Sequence, residues 1–86
     1  MRIDLILNKL CLTKTRSIAK NACDKNLVWL NGKHAKASQL VKDGDKIRLD
    51  LYGFRHEIEI LRIPSGNVAK KDTTQYYKLQ SKISIE

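Results

Sequence analysis

Apolar residues near the start of the chain recur at intervals of three and four. This spacing places the first set on one face of a short helix over residues 3–10. A second helix is predicted to end near Lys25, and both Thr13 and Thr15 are suitable N-caps for it. Because only a few residues join the two helices, we predict a helix–turn–helix. The apolar residues are Ile3, Ile6, Leu7 and Leu10 in the first helix and Ile18, Ala19, Ala22 and Cys23 in the second.

After the second helix the pattern changes to short strands. Asn26 is expected to end the helix, since asparagine tolerates the left-handed conformation of a helix end. Asn31 and Gly32 form the dipeptide best suited to a type I′ turn, in which both central residues need positive φ. Residues 27–30 and 33–37 are therefore predicted to pair as a hairpin.

Strict alternation of apolar and polar residues from Lys46 to Leu51 predicts a half-buried strand. Gly44-Asp45 is expected to turn the chain into this strand. Tyr52-Gly53-Phe54 is expected to turn it into a further strand over residues 55–63.

A loop signal, Pro64 followed by residues 65–67, separates this body from a short tail. A short helix is expected to start at Asp72, with Tyr76 and Leu79 facing the body. Two helices followed by a small antiparallel sheet make an α+β fold, here a helix–turn–helix packed on a sheet with a short C-terminal helix. The predicted division is a domain over residues 1–63, followed by a loop, short helix and tail over residues 64–86.

Positive charge is concentrated in the first half of the chain. The 86 residues carry 17 Lys and Arg against 9 Asp and Glu, a net charge of +8. Residues 1–36 hold eight basic and two acidic residues, so they supply +6 of that charge. Such a surface favours a polyanion, either nucleic acid or an anionic membrane. No run approaches the roughly 18 apolar residues of a membrane span, and no membrane partner is predicted.

The basic residues of the two helices and the hairpin are expected to form one surface. Backbone N–H groups at the start of the second helix suit phosphate, and Thr15 or Ser17 can donate a hydroxyl hydrogen bond to a phosphate oxygen. Because Trp29 is the only nearby stacking candidate, folded or duplex RNA is favoured over single strands. The predicted RNA-binding residues are Arg2, Lys14, Thr15, Arg16, Ser17, Lys20, Lys33 and Lys36.

No residue pattern for catalysis, metal binding or a cofactor is evident. His34 and His56 have no Cys or His at metal-ligand spacing, and there is no glycine-rich phosphate loop. Cys11 and Cys23 are interpreted as reduced, buried small hydrophobes. Asp4 is expected to pair with a nearby Arg or Lys and to orient the basic surface. Trp29 is expected either to pack on the sheet or to contact RNA or protein.

Five short motifs occur in an order and spacing that resemble the S4 domain, the RNA-binding domain first described in a small-subunit ribosomal protein. The similarity extends over about residues 1–61. Any one motif is weak, but the ordered set is specific. The motifs are Met1-Arg2-Ile3-Asp4, Lys14-Thr15-Arg16-Ser17-Ile18-Ala19-Lys20, Val28-Trp29-Leu30-Asn31-Gly32-Lys33, Ala35-Lys36-Ala37-Ser38 and Val41-Lys42-Asp43-Gly44-Asp45-Lys46-Ile47.

Within this family the chain is most similar to short stand-alone members that act in ribosome-associated quality control, and next to heat-shock members that bind large ribosomal subunits. The resemblance implies a cytoplasmic protein that binds rRNA, and peptidyl-tRNA, on a stalled large ribosomal subunit. There it would act beside a factor that extends the nascent chain. A monomer is expected, and the residues implied in rRNA and tRNA contact are Arg2, Lys14, Arg16 and Lys20.

Two other functions are compatible with the pattern. The two helices also suit a DNA-binding regulator, although the second helix offers only Asn21 as an amide for reading base edges. A protein-binding module using the sheet edge and the tail would instead show affinity that is insensitive to salt.

Overall fold

Both predicted helices are present in the computed structural model, which describes residues 1–85. The first, α1, spans Ile3–Lys9, and the second, α2, spans Arg16–Asp24. Thr15 rather than Thr13 is the N-cap of α2, since its Oγ1 accepts a hydrogen bond from the Ile18 N–H at 3.1 Å. The Thr13 hydroxyl instead donates to the Thr15 carbonyl at 2.9 Å and so stiffens the loop between the helices.

Each helix ends on a residue in the left-handed conformation. Asn26 has a φ of 60° after α2, as predicted, and Cys11 has a φ of 60° after α1. In both cases the N–H of the next residue donates to the carbonyl five residues earlier, at 2.9 Å after α2 and 3.0 Å after α1. These bonds define two Schellman motifs. Cys11 is exposed, so its prediction as a buried hydrophobe is wrong, whereas Cys23 is buried.

Five antiparallel strands form one sheet in the order β2-β1-β3-β4-β5. The strand predicted over residues 46–51 has those bounds, the return strand of the first hairpin is shorter than predicted, and the fourth strand covers only part of residues 55–63. The strands are β1 (Val28–Leu30), β2 (Lys33–His34), β3 (Lys46–Leu51), β4 (Phe54–Ile60) and β5 (Tyr77–Ser84).

The tail differs from its prediction. The short helix is a 3-10 helix over Lys70–Gln75 with Ala69 as N-cap, so Asp72 lies inside it. The residues that follow form β5, which pairs with β4 across a bulge between Glu57 and Ile58. Tyr76 packs against the core, and Leu79 lies on β5 opposite the core residue Ile58 while remaining 50% exposed. The last residue of the predicted tail, Glu86, lies outside the described residues.

The core lies where the two helices pack on the sheet, and the predicted α+β fold is confirmed. The apolar face formed by three residues of α1 and its C-cap Leu10 is fully buried, with none of the four more than 1% exposed. From the sheet, Val28, Ile47, Leu49, Ile58 and Ile60 complete the cluster. Each such side chain contributes about 1.5–3 kcal/mol to folding when fully buried, so this small core anchors the helices firmly.

The outer face of the sheet contains a buried carboxylate. Arg55 donates two hydrogen bonds to Asp50, at 3.0 and 3.2 Å, and Arg48 Nε lies 3.6 Å from its Oδ1. Burial by itself would raise the pKa of the Asp50 carboxyl. The hydrogen bonds from Arg55 and the charges of both arginines outweigh it and hold that pKa below its ordinary value of 3.8. Asp50 is thus a buried side chain on the side of β3 that was predicted to face solvent.

Trp29 packs on the same outer face, which is the first of its two interpretations. Its ring centroid lies 4.9 Å from that of His34, and the guanidinium carbon of Arg48 lies 4.1 Å from the Trp29 centroid. The indole is thereby held between a histidine and a cation on the side of the sheet away from the helices.

Two turns at one end of the sheet are tied together by side chains. Asn31 and Gly32 have φ values of 51° and 86°, and Gly44 has a φ of 87°. The Asn31 side chain donates to Asp45 Oδ1 at 3.1 Å and accepts from the Lys46 N–H at 2.9 Å. The hairpin turn therefore cannot move independently of the turn that precedes β3.

Candidate RNA interface

A buried carboxylate lies at the centre of the predicted basic surface. Asp4 is 2% exposed, and its Oδ2 lies 3.2 Å from Arg2 Nη2 and 3.5 Å from Arg16 Nε. The expected pairing of Asp4 with a nearby basic residue is thus confirmed, and it involves two arginines. Their side chains are 44% and 48% exposed, so both guanidinium groups remain open to a ligand while one end of each is held.

Main-chain hydrogen bonds fix the backbone position of Arg2. The Ile3 N–H donates to the Gln39 carbonyl at 2.8 Å, and the Val41 N–H donates to the Met1 carbonyl at 2.9 Å. Arg2 itself forms an antiparallel bridge with Leu40. The segment after β2 therefore anchors the N-terminus beside α2, and the first N–H groups of α1 are satisfied without a side-chain cap.

Around Asp4, the two helices enclose a shallow cavity of about 280 Å³ that is lined by Arg2, Arg16, Ser17 and Lys20. Arg16 and Ser17 are the first two residues of α2, whose leading N–H groups have no acceptor within the helix. The exposed side chain of Thr15 caps the helix beside them. This cavity, with its cationic rim and helix N-terminus, has the features that bind phosphate.

A second depression continues the same surface toward the first hairpin. It is lined by Arg2 and Lys20 on one side and by His34 and Lys36 on the other. Its single carboxylate among residues 1–85 is that of Asp24. We call the surface formed by Arg2, Arg16, Ser17, Lys20 and Lys36 the basic face.

Three residues of the predicted set lie outside this face: Thr15, whose hydroxyl caps α2, Lys14 and Lys33. Lys14 lines a different cavity, with Tyr52, Lys70 and Lys82, and its ammonium lies 5.9 Å from the Tyr52 ring centroid. Lys33 is exposed on β2 but lines neither depression of the basic face. His34, which the sequence analysis did not assign to the site, lines the second depression, and no pattern in the sequence indicates it.

Burial keeps the cysteine next to this face unreactive. Burial raises the pKa of the Cys23 thiol to about 11, with smaller contributions from the carboxylates of Asp4 and Asp24. The thiol is therefore protonated at neutral pH, where thiolate would be the reactive form.

Residues 1–85 contain no helix that is both long and apolar enough to cross a bilayer. Within the same range, no group of three or more His, Cys, Asp or Glu side chains is placed to hold a metal ion.

A basic helix–turn–helix followed by a small sheet defines a class of RNA-binding domain, and residues 1–47 match the model of the S4 domain. The RQC P-site tRNA stabilizing factor of Helicobacter pylori is 45% identical over 83 residues, which cover 95% of this chain and 99% of the relative. The chain therefore belongs to the family of these stabilizing factors, whose N-terminal half is an S4 domain. This family consists of RNA-binding factors that are not enzymes, as the sequence predicted.

Two further relatives extend the likeness over the whole chain. The RQC P-site tRNA stabilizing factor of Halalkalibacterium halodurans is 29% identical over 85 residues, covering 99% of this chain and 96% of the relative. Among solved structures, heat shock protein 15 of Vibrio cholerae superposes with a TM-score of 0.87 at 30% identity, covering 94% of this chain and 82% of that one.

Proposed function

We propose that this chain stabilises peptidyl-tRNA at the P site of a stalled large ribosomal subunit, by gripping rRNA and tRNA backbone with the basic face. It would do so in the cytoplasm, as a monomer, during ribosome-associated quality control and beside a factor that extends the nascent chain. The relatives are RQC P-site tRNA stabilizing factors, which supports both the tRNA and the pathway.

One observation supports the proposed site above all others. Arg2 and Arg16 come from different elements, yet a single buried carboxylate aligns both at the rim of one cavity. Arginines held this way lose little conformational freedom on binding, and their planar groups suit phosphate oxygens. Lys20 adds a further charge, and Ser17 adds a hydroxyl that can donate to phosphate.

Sedimentation with large subunits tests the proposal. Arg2→Ala and Arg16→Ala should each reduce co-sedimentation with large subunits carrying P-site tRNA. Each should also make the negative slope of log K against log salt less steep by about 1, because one phosphate contact is lost. Thermal melts should show that both variants stay folded, since the two side chains are about half exposed.

Lys42→Ala is the matched control, because Lys42 is an exposed cation in the turn before β3 and lines neither depression of the basic face. It should leave co-sedimentation unchanged. Full co-sedimentation of folded Arg2→Ala and Arg16→Ala proteins would refute the site, and failure of the unmodified protein to bind large subunits would refute the function.

DNA binding is disfavoured by the family and by the composition of α2. Arg16, Ser17 and Lys20 of α2 line the basic face and suit phosphate, whereas Asn21, the amide of α2, lines a different depression with Ile18 and Leu27. A gel shift comparing duplex DNA with ribosomal RNA at equal salt should show the preference for RNA.

A further inference from the structure

The cavity that contains Lys14 differs in chemistry from the basic face. It lies where the loop between the helices approaches β5, and it encloses about 390 Å³. Three lysines and two tyrosines dominate its lining, and no acidic side chain among residues 1–85 contributes to it. We call it the lysine–tyrosine groove, defined by Lys14, Tyr52, Lys70, Tyr77 and Lys82.

We propose that the lysine–tyrosine groove binds an unpaired RNA segment by stacking bases on its aromatic rings while the lysines neutralise the phosphates. The proposal extends the proposed function, since the RNA would be continuous with that on the basic face. Protein surfaces that hold single strands combine a cationic groove with aromatic rings in this way.

Two lysines of the groove each lie near an aromatic ring, Lys14 near Tyr52 of the lining and Lys82 near Phe54, which is outside the lining. The Lys14 ammonium is 5.9 Å from the Tyr52 ring centroid, and the Lys82 ammonium is 4.7 Å from that of Phe54 on β4. Tyr52 is 50% exposed and Phe54 is 39% exposed, so both rings have surface free for a base. A base on either ring would leave its phosphate within reach of a lysine.

The conformation of Tyr52 is unfavourable for its residue type. Tyr52 and Gly53 have φ values of 56° and 77°, so they occupy the two central positions of a type I′ turn between β3 and β4. Asparagine or glycine is preferred at the first of these positions, and a bulky side chain at positive φ is uncommon. The turn therefore presents an aromatic ring where asparagine or glycine is preferred, and the Tyr52 hydroxyl accepts a hydrogen bond from the Lys14 N–H at 3.4 Å.

The groove borders the basic face through the loop between the helices. Lys14 and Arg16 are two residues apart, so their Cα atoms are separated by about 7 Å at most. Their side chains nevertheless line different cavities. One RNA could thus run from structured backbone on the basic face to unpaired nucleotides in the groove.

The test uses the full chain and a fluorescent oligouridylate, a probe with no stable secondary structure. Tyr52→Asn should weaken oligouridylate binding about fivefold or more, the lower end of the effect of losing one stacking ring. The same change creates the preferred Asn-Gly turn, which offsets loss of the hydrogen bond from the Lys14 N–H to the Tyr52 hydroxyl, so the melting temperature should change little. Tyr52→Phe keeps the ring and should retain binding.

Lys82→Ala should weaken oligouridylate binding and make the negative slope of log K against log salt less steep by about 1. Lys78→Ala is its control on the same strand, since Lys78 does not line the groove. Backbone amide signals of the groove residues should shift on titration with oligouridylate.

Three results would overturn the groove as an RNA site. These are unmoved groove signals, unchanged affinity in Tyr52→Asn, and equally tight binding of an oligoglutamate of the same length. If they occur while Arg16→Ala still loses large-subunit binding, the groove proposal fails and the proposed function stands. If the unmodified protein does not bind large subunits, the proposed function fails whatever the oligouridylate shows.

Discussion

Replacement of Asp4 by asparagine separates the orientation of the arginines from their charge. Asp4→Asn keeps the size of the side chain but removes the negative charge that holds Arg2 and Arg16. Asp24→Asn is the matched control. It adds the same net charge at an exposed position beside the basic face, and no ion pair involves Asp24 within residues 1–85.

The expected loss of folding stability is small. Both arginines are nearly half exposed, so solvent screens each pair, and each contributes about 0.2–1 kcal/mol. Asp4→Asn should therefore lower the free energy of unfolding by about 2 kcal/mol at most. The buried Asp4 Oδ1 accepts no hydrogen bond within the described chain, and relief of that desolvated charge offsets part of the loss.

The expected loss of binding specificity is larger. Immobilising a long side chain on association costs about 0.5–1.5 kcal/mol, and Asp4 removes that cost for two arginines in advance. Freeing both should weaken specific binding by about 1–3 kcal/mol, or roughly 5- to 150-fold. Binding to random duplex RNA, which depends on net charge, should stay level or increase.

Fluorescence anisotropy at one fixed salt concentration measures both affinities, with large subunits carrying P-site tRNA as the specific ligand. The ratio of specific to non-specific affinity should fall in Asp4→Asn and hold in Asp24→Asn. Equal ratios in the two variants would show that Asp4 does not orient the arginines for binding.

Three further changes test the fold. Cys11→Gly should raise the free energy of unfolding by about 0.5–1 kcal/mol, because glycine adopts positive φ without strain. A chemical denaturation curve measures this gain, and a lower denaturation midpoint would contradict it. Gly32→Val should destabilise the protein by about 1–2 kcal/mol through its φ of 86° alone, since among the described residues only the chain neighbours lie within 4 Å of the added Cβ. An unchanged melting temperature would refute the strained turn. The Asp50 carboxylate, whose pKa is lowered by Arg55 and Arg48, should stabilise the fold fully above pH 3.8 and lose that contribution as the pH falls further. Melting temperatures of Asp50→Asn and the unmodified protein should therefore converge below pH 3.8, and a constant difference would count against the ion pairs.

Sequence periodicity predicted the parts of the fold in which one face is buried. The apolar residues of α1 and the alternation of β3 are set by contact with a single core, so spacing alone reveals them. β5 was missed although its sequence alternates, with Tyr77, Leu79 and Ile83 set among polar residues, because a helix starting at Asp72 was predicted to run into it. The strand is mostly exposed, so its alternation marks an edge strand and not a core strand.

The sequence predicted most of the basic residues of the candidate site, but it did not predict that they are divided between two cavities. The positions of Arg2 and Arg16 follow from helix starts, which the sequence marks clearly. Lys14 lies in the loop between them, and no periodic pattern states to which side a loop residue points. The strand that completes the lysine–tyrosine groove comes from the far end of the chain, so only the fold brings Lys14 and Lys82 to one cavity.

The long outer edge of β5 has a bearing on self-association. The opposite edge, β2, is two residues long, whereas β5 offers eight residues, with Ile83 half exposed among them. A flat apolar edge of that length would pair with the same edge of another copy. Natural sheets prevent such edge-to-edge pairing with lysines and bulges. Lys78 and Lys82 repel an approaching copy, so chemical neutralisation of these amines should make the protein prone to edge-to-edge aggregation.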